Sequence, residues 1–216
     1  MRKLFLFIVC FILFGVGIKA QRFPQAVLPG DYPDPSILRD GKNYYMTHSP
    51  FYYAPGFLIW HSTDLIHWEP VCRALPEYEG SAMAPDLLKY QGRYYIYYPT
   101  STGENFVIYA DNIRGPWSKP VKLDVKGIDP GHVVGEDGKR YLFTNNGWIT
   151  PLSDDGLKVT GKSRKVYDGW EYPANWVTEG KDMYLESPKL LYKDGYYYMM
   201  SAEGGTAGPA TSHMCV

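Results

Sequence analysis

The polar and apolar positions of the chain repeat four times in the same order. Each repeat has an acidic residue beside or near a proline, then an apolar stretch, a glycine-containing turn and a tyrosine-rich run. Apolar runs on both sides of an Asp-Gly or Gln-Gly turn predict a β-hairpin in every repeat. The four segments are DPSILRDGKNYYMTHS from Asp34, APDLLKYQGRYYIYYPT from Ala84, DPGHVVGEDGKRYLFTNN from Asp129 and ESPKLLYKDGYYYMMSAE from Glu186.

The spacing of the turn glycines indicates the architecture. Gly41, Gly92, Gly138 and Gly195 recur at intervals of 51 (92 − 41), 46 (138 − 92) and 57 (195 − 138) residues. A period near 50 residues with strand patterning is typical of propeller blades or a β-solenoid. The segments between the hairpins, such as GFLIWHSTDLIHWEPV, predict a third and a fourth strand, which completes a blade. We therefore predict an all-β propeller; a two-sheet sandwich is the alternative.

The fourth repeat stops before its last predicted strand. The chain reaches Val216 without the edge strand that the earlier repeats have as WEPV or WSKPVKL. We therefore expect an incomplete arc of about three and a half blades, with an exposed apolar flank on the fourth.

The first 20 residues have the layout of a secretory signal peptide. Arg2 and Lys3 precede an apolar run that ends at the small residue Ala20. A membrane anchor is the alternative, but the run is short for a span of roughly 20 residues. We predict cleavage near Ala20, export to the periplasm or the medium, and a propeller domain over residues 21–216.

The composition excludes several partners. The 216 residues are 45% hydrophobic and 21% charged with a net charge of −1, so the chain is globular and has no electrostatic attraction for nucleic acid or an anionic membrane. Aromatic residues make up 16%, which suits β-structure and stacking on sugars. Only Cys72 and Cys215 lie beyond the leader, which gives no disulfide framework. The histidines show no metal-ligand spacing.

Three acids precede predicted inner strands in three different repeats: Asp34, Asp129 and Glu186. The inner strands of a propeller line a shared channel, so we expect these carboxylates to converge and at least one pKa to rise. Carboxylates with separated pKa values are the groups that hydrolyse a glycosidic bond. The alternative is that Asp-Pro and Glu-Ser-Pro only begin strands, because turns favour these residues.

The motifs YPDPSI, MAPDLL, GIDPGHVVGEDGKRYLF and ESPKLLYKDGYYYMM resemble those of glycoside hydrolase family 43, in order and one per repeat. The resemblance implies a five-bladed propeller that cleaves β-xylosides or α-L-arabinofuranosides of plant-type polysaccharides with inversion. It implies that Asp34 is the general base, Glu186 the general acid and Asp129 the residue that tunes the pKa. It implies a carbohydrate substrate, no cofactor for the chemistry, and a structural calcium in the complete protein.

Two positions depart from the family pattern. Met83 stands where the family usually has tryptophan, and Ser187 stands where it usually has glycine. Met83, Phe51 and Trp148 are the candidate substrate-binding residues; packing between blades is the alternative for the two aromatic rings. We expect His132, on the third inner strand, to be buried and hydrogen-bonded.

Two rival functions differ in their motifs. Retaining β-fructosidases also resemble this chain, but they carry Asn-Asp-Pro-Asn, Arg-Asp-Pro and Glu-Cys, whereas this chain has Tyr-Pro-Asp-Pro, Ile-Asp-Pro and Glu-Ser. A non-catalytic sugar-binding propeller needs the aromatic residues but not the three acids.

Overall fold

The computed structural model describes residues 26–78, 80–169 and 185–203, and the backbone of 213–215. The predicted signal peptide, residues 1–20, lies outside the described residues. Within the described part of the chain, no helix is long and apolar enough to cross a membrane.

Four antiparallel sheets follow one another along the described chain. In each sheet the strands pair in sequence order, which is the topology of a propeller blade. Blade 1 comprises β1 (Ser36–Asp40), β2 (Asn43–Thr47), β3 (Gly56–Ser62) and β4 (Glu69–Leu75); blade 2 comprises β5 (Asp86–Tyr90), β6 (Arg93–Pro99), β7 (Asn105–Ala110) and β8 (Val121–Leu123); blade 3 comprises β9 (Gly131–Val134), β10 (Arg140–Thr144), β11 (Trp148–Pro151) and β12 (Arg164–Lys165); blade 4 comprises β13 (Glu186–Lys193), β14 (Tyr196–Glu203) and β15 (His213–Cys215).

The first hairpins of blades 2 and 4 turn at the two residues that the sequence indicates. Tyr90 pairs with Arg93 across Gln91 and Gly92, whose φ angles are 48° and 85°. Two consecutive positive φ angles match the right-handed twist of the flanking strands, and Gly supplies one of them without steric cost. Blade 4 repeats this turn at Asp194 and Gly195.

The blades stack through apolar faces. Along β6 successive side chains point to opposite sides, so Tyr94, Ile96 and Tyr98 pack toward blade 1 while Tyr95 and Tyr97 pack toward blade 3. The ring centres of Phe57 and Tyr98 lie 4.8 Å apart between blades 1 and 2. A sheet that is buried on both faces belongs between two neighbours, which favours the propeller over the two-sheet sandwich.

Blade 4 is the exception to this burial. On β14, Tyr196 is 68% exposed, Tyr198 40% and Met200 43%. Large apolar side chains in a contiguous strand are usually covered in a soluble protein. The predicted exposed flank of the fourth blade is therefore present.

Candidate active site

The chain enters every inner strand through the same backbone bend. The residue immediately before the proline has a positive φ in each blade: 52° at Asp34, 41° at Ala84, 57° at Asp129 and 49° at Ser187. Positive φ is costly for residues other than glycine, and it persists only where the surrounding structure enforces it. These four positions are therefore structurally equivalent, and we call them the entry positions.

Glu186 does not occupy the same position in its blade as Asp34 and Asp129 do in theirs. We expected Asp34, Asp129 and Glu186 to occupy equivalent places, but Ser187 fills the entry position of blade 4. Glu186 lies one residue earlier and already belongs to β13, where it pairs with Ala202. The sequence already contains this offset, because Asp34 and Asp129 directly precede a proline whereas Ser187 separates Glu186 from its proline.

Asp34 and Asp129 line one cavity of about 230 Å³ between the ends of the inner strands. The wall also contains Ala84, Ser187 and Lys189. Glu186 is not among the described residues that line this cavity, although its neighbour Ser187 is. The structure thus brings two of the three predicted acids together and places the third beside the same wall.

A serine fixes the carboxylate of Asp34. The hydroxyl of Ser49 donates a hydrogen bond to Asp34 Oδ2, and it accepts one from the amide of Ala84 at 2.6 Å. Ser49 stands two residues after the end of β2 in blade 1, whereas Ala84 is the entry position of blade 2. The aspartate is therefore connected through one hydroxyl to the next blade.

The backbone of blade 4 fixes Asp129. The amide of Ser187 donates to Asp129 Oδ2 at 3.3 Å. Burial raises the pKa of Asp129, the Ser187 amide lowers it, the charge of Asp34 raises it and that of Lys189 lowers it. The pKa of Asp129 is raised overall, which agrees with the expectation that at least one of the converging acids has a raised pKa.

Sequence reasoning missed three residues of this site: Ser49, Asp86 and Lys189. Asp86 Oδ2 accepts from the amide of His132 at 2.8 Å, and Asp86 Oδ1 forms an ion pair with Lys189 Nζ at 3.0 Å. Asp86 and Lys189 each stand two residues after an entry position, on the inner strand. That shared position is the sequence signal that could have revealed Asp86 and Lys189.

The three candidate substrate-binding residues lie elsewhere. Phe51 is 37% exposed and lines a separate cavity of about 370 Å³ together with Tyr32 and Arg73. Met83 is half-buried, and its amide donates to Pro99 O at 3.0 Å. None of the three is among the described residues around the Asp34 cavity. Their role in binding sugar stays a prediction.

Trp148 begins β11, directly after a short 3-10 turn formed by Asn145–Gly147. Lys126 Nζ lies 3.7 Å from the centre of its ring. One face of this indole is therefore occupied by a cation within the protein.

His132 is hydrogen-bonded, as expected, but it is half-buried instead of fully buried. Its Nε2 accepts from Arg140 Nε at 2.9 Å, and because arginine can only donate, the neutral ring carries its proton on Nδ1. Burial and the charge of Arg140 lower the pKa of His132 to about 4. The guanidinium of Arg140 lies between the rings of Tyr90 and Tyr95, 4.4 Å from each ring centre. This cluster joins blades 2 and 3.

No group of three His, Cys, Asp or Glu side chains that could hold a metal ion occurs in the described ranges.

The model of the family "Glycosyl hydrolases family 43" matches residues 23–216. The chain belongs to glycosyl hydrolase family 43. Among the relatives, a xylosidase/arabinosidase of Butyrivibrio fibrisolvens is 34% identical over 207 residues, and a xylan 1,3-beta-xylosidase of a Vibrio species is 36% identical over 211 residues. The matches cover 84% and 83% of this chain but only 38% of each relative.

Solved family 43 structures have the same fold. The BlXynB protein of Bacillus licheniformis matches with a TM-score of 0.74 and 34% identity, over 89% of this chain and 40% of that chain. A xylan beta-1,4-xylosidase from Bacillus halodurans matches with a TM-score of 0.72 and 30% identity, over 89% of this chain and 43% of its own. The predicted fold, an incomplete arc of a five-bladed propeller, is confirmed. The chain spans about two fifths of the length of these family members.

Proposed function

We propose that this family 43 protein is an inverting glycoside hydrolase that cleaves β-xylosidic or α-L-arabinofuranosidic bonds of plant-type polysaccharides or their oligosaccharides. One observation carries the proposal: Asp34 and Asp129, from the motifs of two different blades, line a single cavity. The names of its relatives, which include xylosidases and an arabinofuranosidase, support both bond types.

In this proposal the three acids have separate roles. Asp34 is the general base that takes a proton from the attacking water, and its hydrogen bond from Ser49 fixes the carboxylate toward the cavity. Glu186 is the general acid that protonates the leaving oxygen. Asp129 orients the segment that carries Glu186, because it accepts a hydrogen bond from the amide of the adjacent Ser187. With water as the nucleophile on the opposite face of the sugar, the anomeric carbon is inverted.

Hydrolysis of a panel of nitrophenyl glycosides tests the proposal. Wild-type protein should cleave the β-D-xyloside or the α-L-arabinofuranoside, and Asp34→Asn should lower kcat by roughly 10²–10⁴-fold, the usual value of a general acid–base step. Glu186→Gln should lower kcat much less on substrates with good leaving groups, which need little protonation. Asp111→Asn, at a side chain that is 81% exposed on blade 2, is the control and should leave kcat unchanged.

Three outcomes would contradict the proposal. Binding of xylo-oligosaccharides without any hydrolysis would indicate a sugar-binding propeller. Cleavage of β-fructosides alone would indicate the fructosidase type. Retention at the anomeric carbon of the first-formed product, observed by proton NMR, would exclude water as the direct nucleophile.

We further infer that residues 1–20 direct export and are removed, and that residues 21–216 are the N-terminal part of the catalytic propeller domain. The support is the order of basic, apolar and small residues at the N-terminus. Protein recovered from the periplasm or the medium should begin near Gln21 on N-terminal sequencing. An exported protein that still begins at Met1 would contradict the inference.

A further inference from the structure

Lys189 lies where the inner strands of three blades meet. It belongs to β13 of blade 4, and its side chain is 35% exposed. Its Nζ is 2.8 Å from Pro130 O of blade 3, 3.0 Å from Asp86 Oδ1 and 3.5 Å from Pro85 O of blade 2. One side chain of blade 4 thus contacts both preceding blades.

These contacts engage the ammonium of Lys189 with protein oxygens. A lysine ammonium has three hydrogens and no acceptor capacity, and here three oxygens surround it. The side chain lines the cavity of Asp34 and Asp129, but its charged end is directed into the protein wall. The contacts that the ammonium makes are therefore with protein groups of blades 2 and 3.

The repeat explains why a long side chain is needed at this position. Two residues after the entry position, Ser36 Oγ of blade 1 accepts from Leu87 N at 2.9 Å, and Asp86 of blade 2 accepts from the amide of His132. Blade 3 has Gly131 there, which provides no side chain to reach blade 4. At this position the contact between blades 3 and 4 runs in the opposite direction: the side chain of Lys189 in blade 4 donates to the carbonyl of Pro130 in blade 3.

The cavity also needs a positive charge. Asp34 and Asp129 line it, and Asp86 forms an ion pair with Lys189. Glu186 directly precedes Ser187, which also lines the cavity. Among the described residues that line the cavity, Lys189 is the only cation. Carboxylates that are close together disfavour one another's ionised form unless a cation offsets them.

We propose that Lys189 is a positioning residue: its ammonium fixes Pro130, and with it the adjacent Asp129, against Asp86, and it supplies the positive charge that keeps the carboxylate of Asp129 ionised. The effect on catalysis rests on the proposed hydrolase function, whereas the effect on Asp129 does not. The two can be measured separately on the same protein.

The direct measurement is a carboxyl ¹³C NMR titration of the 216-residue chain, with the Asp129 signal assigned through Asp129→Asn. Lys189→Met keeps the length of the side chain but removes the charge and the donors. It should move the Asp129 titration to higher pH, because a positive charge that lowers the pKa of Asp129 is lost. Lys193→Met, on the exposed end of the same strand, is the matched control and should leave the Asp129 titration unchanged.

A second variant covers the case in which Lys189→Met does not fold. Lys189→Gln retains amide donors for Pro130 O but carries no charge, so it should show the same upward shift in a folded protein. An Asp129 titration that is identical in wild type and in whichever of these two variants folds would overturn the proposal.

The kinetic measurement then separates the two proposals. If ionised Asp129 is required, the rate falls as the pH drops through its pKa, so the acid limb of kcat/KM should move to higher pH in Lys189→Met or Lys189→Gln. An active wild type whose variants keep the same acid limb would overturn the role of Lys189. A wild type that hydrolyses no glycoside would refute the hydrolase function, and the NMR titration would still decide the role of Lys189.

Discussion

Gly131 is the position at which a single methyl group should most disturb the site. It is the first residue of β9, and a Cβ placed there would lie 1.8 Å from Pro188 O and 2.9 Å from Pro188 C. Its φ lies outside the left-handed range, so Gly131→Ala adds no backbone strain of its own. Compared with a second Gly→Ala variant, which shares the effect on the unfolded chain, the substitution tests the closeness of blades 3 and 4.

The distance sets the size of the effect. Real Cβ atoms essentially never approach another heavy atom closer than 3.0 Å, so Pro188 O would have to move by about 1.2 Å (3.0 − 1.8). This atom is in the backbone and cannot rotate away. Forcing atoms into a packed interior costs about 1–3 kcal/mol, and we expect the upper end, about 3 kcal/mol. At about 2–4 °C per kcal/mol for a chain of this size, the Tm should fall by about 6–12 °C.

Thermal and urea unfolding, followed by circular dichroism, would measure the loss. Gly161→Ala is the matched control: it lies in the same blade, its φ is also outside the left-handed range, and its new Cβ would meet only side-chain carbons of Pro151, at 3.0 and 4.0 Å. That variant should change the free energy of unfolding by less than about 0.5 kcal/mol. If Gly131→Ala were as stable as Gly161→Ala, blades 3 and 4 could not approach as closely as described.

Two further predictions concern polar contacts between blades. His132 has a folded pKa of about 4 against 6.5 when unfolded, so the unfolded chain binds the extra proton and stability should rise with pH from about 4 to 6.5, by on the order of 3 kcal/mol. His132→Gln keeps an acceptor for Arg140 but cannot titrate, so its free energy of unfolding, measured with urea, should depend less on pH between about 4 and 6.5. If the free energy of unfolding of the variant rose with pH as steeply as that of the wild type, His132 would be excluded as the cause. Ser49→Ala leaves the amide of Ala84 unsatisfied and should cost about 1–3 kcal/mol on unfolding. A loss below about 0.5 kcal/mol would show that water replaces the hydroxyl.

The sequence predicted the blades because local chemistry determines them. The turn at Gln91 and Gly92 needs two positive φ angles, and the tyrosine-rich strand that follows needs two buried faces; both requirements are visible in one short segment. The period of about 50 residues then sets the number of sheets. The residues at the blade ends, Asp34 and Asp129, were found because the same motif recurs.

The site was predicted less completely because its contacts join distant parts of the chain. Lys189 and Asp86 are 103 positions apart, and neither has an unusual local sequence. The offset of Glu186 from the proline is visible in the sequence, but the shared backbone conformation of Ser187 and the other entry positions is known only from the folded chain. Long-range polar contacts of this kind follow only from the assembled arc.

The four entry positions hold Asp34, Ala84, Asp129 and Ser187 in one backbone conformation. Since the bend tolerates a methyl group, a hydroxyl and two carboxylates, the architecture does not dictate which chemical group stands there. New reactivity can therefore be acquired in one blade by a point mutation, without rebuilding the frame around it. In a repeat protein of this kind, the fold can stay the same while the chemical groups at the entry positions change.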